Sequence, residues 1–161
     1  MIEPFMNIVL ERYFGDSHIT KSVMTVVGEE GREHLRCEAR EPRFAQYQEA
    51  FPGCSRFCLA GGRWRCKVVA TEMSPMTLTV VKSPGHRCYR IGWDYMAQVK
   101  ANMVLVGESD GCEEPEYRDI VQSKETFDRL TKLVYEAYGT GEEIWLEVKN
   151  DIMDPLIYRV N

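Results

Sequence analysis

Two thiol arrangements in the sequence could do covalent chemistry. His86 and Cys88 stand two residues apart, so on an extended strand both side chains leave the same face with Cβ atoms roughly 7 Å apart. An imidazole at that range can take the thiol proton, and thiol catalysis also needs donors for the oxyanion. No neighbouring segment announces such donors. Cys112, in Ser109-Asp110-Gly111-Cys112, is the second candidate. There Asp110, Glu113, Glu114 and Glu116 crowd the thiol with negative charge, which disfavours its thiolate. Cys54-x3-Cys58 with His86-x-Cys88 imitates a zinc set only loosely, because zinc ligands come as closely spaced pairs. The sequence has no phosphate-cradling glycine loop with its lysine, no H-E-x-x-H, no G-x-S-x-G and no dinucleotide fingerprint. The expectation is therefore no metal and no cofactor.

The composition sets the class in which these residues must work. The chain has 161 residues, of which 44% are apolar and 28% charged. That is enough chain to bury a core without staples. The formal charge of −5 gives no pull towards nucleic acid or an anionic membrane. Arg56, Arg63 and Arg65, with Glu38, Glu41 and Glu72 near them, read as a solvated surface. No apolar run is long enough to span a bilayer. The start MIEPFMNIV carries an acid and a proline where a secretory signal would carry positive charge, which predicts residence in the cytoplasm. In that compartment the six cysteines are expected as free thiols.

The elements that would position these groups follow from periodicity. Met6 to Arg12 reads as a strand ahead of the polar break FGDSH. Val23, Thr25 and Val27 alternate with Met24 and Val26, and Gly28 to Gly31 turn the chain into HLRCEAR, which predicts a hairpin. Arg63 to Thr71 and Met76 to Val81 repeat the strand pattern, and Phe44, Tyr47 and Phe51 in the segment between Arg40 and Gly62 suggest a short helix. Arg87 to Trp93 reads as a strand and Met103 to Val106 as a buried strand, with Asp94 to Asn102 between them open to either loop or helix. Ser123 reads as the cap of a helix from Lys124 to Tyr138, closed by Gly139. Ile144, Leu146 and Val148 mark a last strand.

The pattern predicts a single α+β domain over 1–161: mostly antiparallel strands in a bent sheet or sandwich, with one main helix. Residues 1–5 read as a loose extension and 149–161 as a tail able to cover an edge or a second subunit.

In order along the chain, Leu10-Glu11-Arg12, Cys37-Glu38, Leu59 to Val68, Pro84-Gly85, Leu105-Val106-Gly107, Ser123 to Phe127 and Ile144 to Val148 resemble the motifs of an uncharacterised domain family met mainly in phages and prophages. The Leu59 to Val68 piece departs from the family's I-P-x-G-x-Y-x-V by an inserted residue and a missing proline. The family carries an I-H-x-G-N segment and a T-x-G-C-I-L-V-G segment, and this His with Gly-Cys is similar to the active site of L,D-transpeptidases. The resemblance implies a fold like theirs. Aligned from Pro84-Gly85 and from Leu105-Val106-Gly107, the His position falls on Gly92, the Gly and Asn on Asp94 and Tyr95, the Thr on Lys100, the second Gly on Asn102 and the Cys on Met103.

Neither Gly nor Met can serve as nucleophile or base, so both reacting groups are lost together. A rival alignment puts Ser109 to Cys112 on the nucleophile segment, with Glu113 and Glu114 where apolar residues belong. The resemblance thus implies a non-catalytic binding or interaction domain with a degenerate site, using Trp93 and Tyr95 on an unidentified protein or a cell-wall peptide. The alternative is a cysteine peptidase or transpeptidase whose thiol has moved to Cys88 or Cys112.

Overall fold

The computed structural model describes residues 5–43, 58–59, 61–69, 77–80, 89–100 and 102–149. Among the described residues, nine strands and one α-helix follow in the order β1 (Phe5–Gly15), β2 (Ile19–Val27), β3 (Glu33–Pro42), β4 (Gly62–Val69), β5 (Thr77–Val80), β6 (Arg90–Gly92), β7 (Met103–Ser109), β8 (Ile120–Val121), α1 (Ser123–Gly139) and β9 (Glu143–Lys149). The sheet order is β3-β2-β1-β9-β4-β5-β6-β7-β8. A further antiparallel pairing of β3 with β7, from Glu38↔Gly107 to Arg40↔Leu105, joins the two flanks of that sheet. Eight strands therefore close into a barrel, and β8 adds outside the ring as a ninth. This corrects the expected α+β sandwich with an L,D-transpeptidase-like fold: a sandwich leaves two sheets with edges, and here the β3–β7 ladder removes them.

Alternation explains how the ring fills. Met6, Ile8 and Leu10 of β1 stand opposite Ile144, Leu146 and Val148 of the parallel β9. Met24 and Val26 of β2 stand opposite Cys37 and Leu35 of β3. These side chains, with Ala39, Cys66, Leu78, Ile91, Val104 and Val106, form one buried core. Successive side chains of a strand point to opposite faces, so these rows line the interior while Glu11, Tyr13 and Trp145 lie on the outer wall.

α1 closes one end. Its buried residues Phe127, Leu130, Val134 and Ala137 belong to that same core. Glu108, which continues the inward row of Val104 and Val106, meets Arg129 of the helix at 3.0 Å. Ser123 does not cap the helix by its side chain; its hydroxyl donates to Val106 O at 2.6 Å and ties the first turn to β7. Nor does Gly139 take the left-handed turn at the other end. Gly141 does, with φ of 77°, and the amides of Gly141 and Glu142 reach back to Tyr138 O and Ala137 O in a Schellman arrangement.

The β2–β3 hairpin forms around Glu29–Gly31 as its glycines predict. β1 is longer than expected, running from Phe5 through the FG of the polar break, with an irregularity between Arg12 and Phe14. The expected short helix at Phe44, Tyr47 and Phe51 and the tail beyond Lys149 lie outside the described residues. Among the described residues, no helix is long and apolar enough to cross a membrane.

Candidate functional site

The positions where the resemblance would place a His and a Cys do come together. β6 and β7 run parallel, with Arg90↔Met103 and Gly92↔Leu105 in register. A Cβ built on Gly92 would lie 3.0 Å from Met103 Sδ. Met103 is 1% exposed and packs with Leu105 and Ile120 in a small cluster on the outer wall, under Ala97 and Val99. The space in which an imidazole on residue 92 would meet a thiol on residue 103 is thus filled by a thioether, which can neither attack nor take a proton.

The crossover between the two strands carries the remaining positions of that site. Asp94 folds it into a tight turn: its carboxylate accepts from the amides of Met96 and Gln98, each at 3.0 Å. Lys100 adds an ion pair at 3.1 Å. The Gln98 amide, then Lys100, hold this carboxyl below its usual pKa. Asp94 N also donates to Ser123 Oγ at 3.2 Å, which fixes the turn to the start of α1. Asn102 ends the crossover in a left-handed conformation, φ 58°, with its carbonyl taking the Arg90 amide at 2.9 Å. Its Oδ1 is buried and meets no donor among the described residues.

On this turn Trp93 is half-buried against the core, and Tyr95 stands edge-on to it with ring centroids 4.5 Å apart. Tyr95 and Met96 are 82% and 75% exposed. Lys124 Nζ lies 5.9 Å from the Trp93 ring centroid. The two residues expected to bind therefore share one projecting turn, with Met96 added.

Of the candidate thiols Cys88 and Cys112, the structure describes Cys112 alone. His86 and Cys88 lie outside the described residues, as does Cys54. Cys112 sits on the loop between β7 and β8, its Sγ 3.7 Å from Glu114 O. Cys37, Cys58 and Cys66 are free and buried, and burial pushes each thiol up to about 12. A thiol so shifted stays protonated at neutral pH and is a poor nucleophile. Among the described residues, no group of three or more His, Cys, Asp or Glu could hold a metal ion.

A second polar cluster closes the barrel end opposite α1. Arg12 and Glu41, both with fully buried side chains, form a bidentate pair at 2.9 and 2.8 Å. Tyr89 donates to Glu41 Oε1 at 2.9 Å, and Arg12 also donates to Leu59 O at 2.5 Å. Burial alone would lower the Arg12 pKa, yet Glu41 beside it raises the value above that of an ordinary arginine. Burial, followed by the Glu41 charge, likewise keeps the Tyr89 phenol protonated well past its usual range.

Glu41 was expected on a solvated surface with Glu38, and both are buried. The signal was present in the alternation, since Glu41 continues the inward row Leu35, Cys37, Ala39 and Arg12 continues Ile8, Leu10. Arg63 and Arg65 are exposed as expected, whereas Arg56 and Glu72 lie outside the described residues.

No family model, curated protein or solved structure matches the chain.

Proposed function

We propose that the chain is a non-catalytic binding or interaction domain, of the phage-associated kind its motifs resemble, that works in the cytoplasm and takes a cell-wall peptide or a segment of an unidentified protein. The observation that carries this reading is Met103 filling the space over Gly92, so that the wall where reacting groups would meet is packed rather than open. The adjoining turn supports the binding half. Exposed aromatic and thioether side chains on a preorganised scaffold gain contact area at small entropic cost, and Tyr95 and Met96 are held this way by the Asp94 bonds. The free thiols of Cys37, Cys58, Cys66 and Cys112 agree with a reducing compartment.

Incubating the purified protein with cell-wall muropeptides and with a thiol-directed electrophile, each followed by mass spectrometry, tests this reading. The expected outcome is intact muropeptide, with electrophile labelling that no turnover accompanies. Hydrolysis or exchange that disappears in Cys88→Ser or Cys112→Ser would replace it with the relocated-thiol enzyme.

A further inference from the structure

The loop from Asp110 to Asp119 is attached to the barrel in an unusual way. Of its ten residues, only Cys112 and Arg118 are even half-buried, and the others are exposed. No apolar side chain of the loop enters the core. What holds it is charge from the outer wall of β2 and β3. Lys21 Nζ donates to the carbonyls of Pro115, Glu116 and Arg118 at 3.1, 2.9 and 2.7 Å. Arg40 Nη2 donates to Arg118 O at 3.0 Å.

Lys21 is itself buried, and among the described residues no carboxylate pairs with it. All three of its protons go to one loop. Arg40 keeps its own carboxylate, Glu38, at 3.1 Å, and Glu38 also accepts from the Tyr13 hydroxyl. The loop folds back on this base through Arg118, whose guanidinium lies over the Tyr13 ring at 5.2 Å. The same guanidinium donates to Cys112 O and Glu113 O at 2.8 and 3.0 Å.

We propose that Lys21 and Arg40 form a clasp and the Asp110–Asp119 loop a strap, which lifts from the outer wall and opens its own turns while the barrel stays folded. Segments held by hydrogen bonds and little apolar contact open at lower free energy than the core they rest on. A buried ammonium whose donors all serve one loop is the bond whose loss releases that loop. Lifting it uncovers Lys21, Arg40 and Tyr13 on the wall and frees the chain leading into β8.

Hydrogen exchange read by mass spectrometry on the full chain tests the proposal. In Lys21→Met the amides of Gly111, Cys112, Tyr117 and Arg118 should exchange about tenfold faster or more, the scale of a lost charged hydrogen bond. Those of β2 and β3 should hold their wild-type rates. Unchanged loop exchange, or a rise spread evenly over the barrel, would overturn it. Native-state exchange of the wild type in low denaturant decides the matter even if the variant does not fold. The proposal requires loop amides to open before the β2 and β3 amides and almost independently of denaturant, and merging of the two sets into one global step would refute it.

Discussion

At one end of the barrel α1 lays Phe127, Leu130, Val134 and Ala137 onto the inward rows, whereas at the other end the same rows finish in Arg12, Glu41 and the phenol of Tyr89. Both ends exclude water, but by different physics. The helix end is stabilised in proportion to the apolar area it removes from water, so each side chain contributes separately. The charged end depends on complete pairing, because either ion alone in that setting would carry a large desolvation cost. An apolar plug therefore degrades by degrees, and a buried ion pair fails as a unit.

The broadest way to break this contrast is alkali, which should take both ends down together. Cys37, Cys58 and Cys66 have folded-state values pushed up to about 12 by burial. With folded values raised, the folded state holds protons that the unfolded chain releases, so their stabilisation is full below an ordinary thiol's pKa of about 8.5. It is lost as pH rises from there through about 12. Circular dichroism against pH should show cooperative unfolding inside that window, and a protein folded at its upper end would contradict the assignment of these thiols to the core.

Glu41→Gln sharpens the comparison at the charged end. It removes the charge that Glu41 sets against Arg12 and should cost about 3 to 5 kcal/mol in urea unfolding. Arg12→Met combined with Glu41→Leu should recover most of that loss, since removing both ions removes the desolvation problem. Equal losses in the single and double variants would show that the pair does not act as a unit.

Leu130→Ala probes the helix end and should cost about 2 to 5 kcal/mol by the same measurement. Its effect should add to that of Glu41→Gln, because the two side chains sit at opposite ends of the barrel. Tyr89→Phe is the smallest change. Glu41 keeps both bonds from Arg12, and the loss should be about 1 kcal/mol. A cost as large as that of Glu41→Gln would mean that the phenol, rather than the guanidinium, holds the carboxylate.

Local elements were largely legible in the sequence because each is set by near neighbours. The apolar stripe of Phe127, Leu130 and Val134 places α1 within one residue at each end of the expected range. The glycines at 28 and 31 place the β2–β3 turn. Barrel closure was not legible, since Ala39 and Val106 must meet across a long stretch of chain and nothing local encodes that register. β8 is two residues long, too short for alternation to reveal. Gly107 marks it only in three dimensions, where an added Cβ would lie 3.0 Å from both Ile120 Cβ and Val121 O.

The candidate site was legible in part. Lining up Gly92 with Met103 needed only motif spacing, but that Met103 would fill the gap depends on the parallel register of β6 and β7. The exposure of Tyr95 and Met96 depends on the Asp94 turn, in a segment whose pattern fits loop or helix equally well. Glu41 was obscured by the charged residues around it, Glu38 and Arg40, which made that strand end look solvated, and Arg12 stood out only as the end of its strand.

On the proposed function, the crossover turn binds and the wall beneath it does no chemistry. Titrating a cell-wall stem peptide by calorimetry into the wild type and into Tyr95→Ala tests it most directly. The prediction is saturable binding to the wild type, weakened about tenfold or more in the variant as expected for an aromatic anchor, with an unchanged unfolding midpoint and the peptide recovered intact. Absence of saturable binding to the wild type, equal affinity in both proteins, or conversion of the peptide would contradict it.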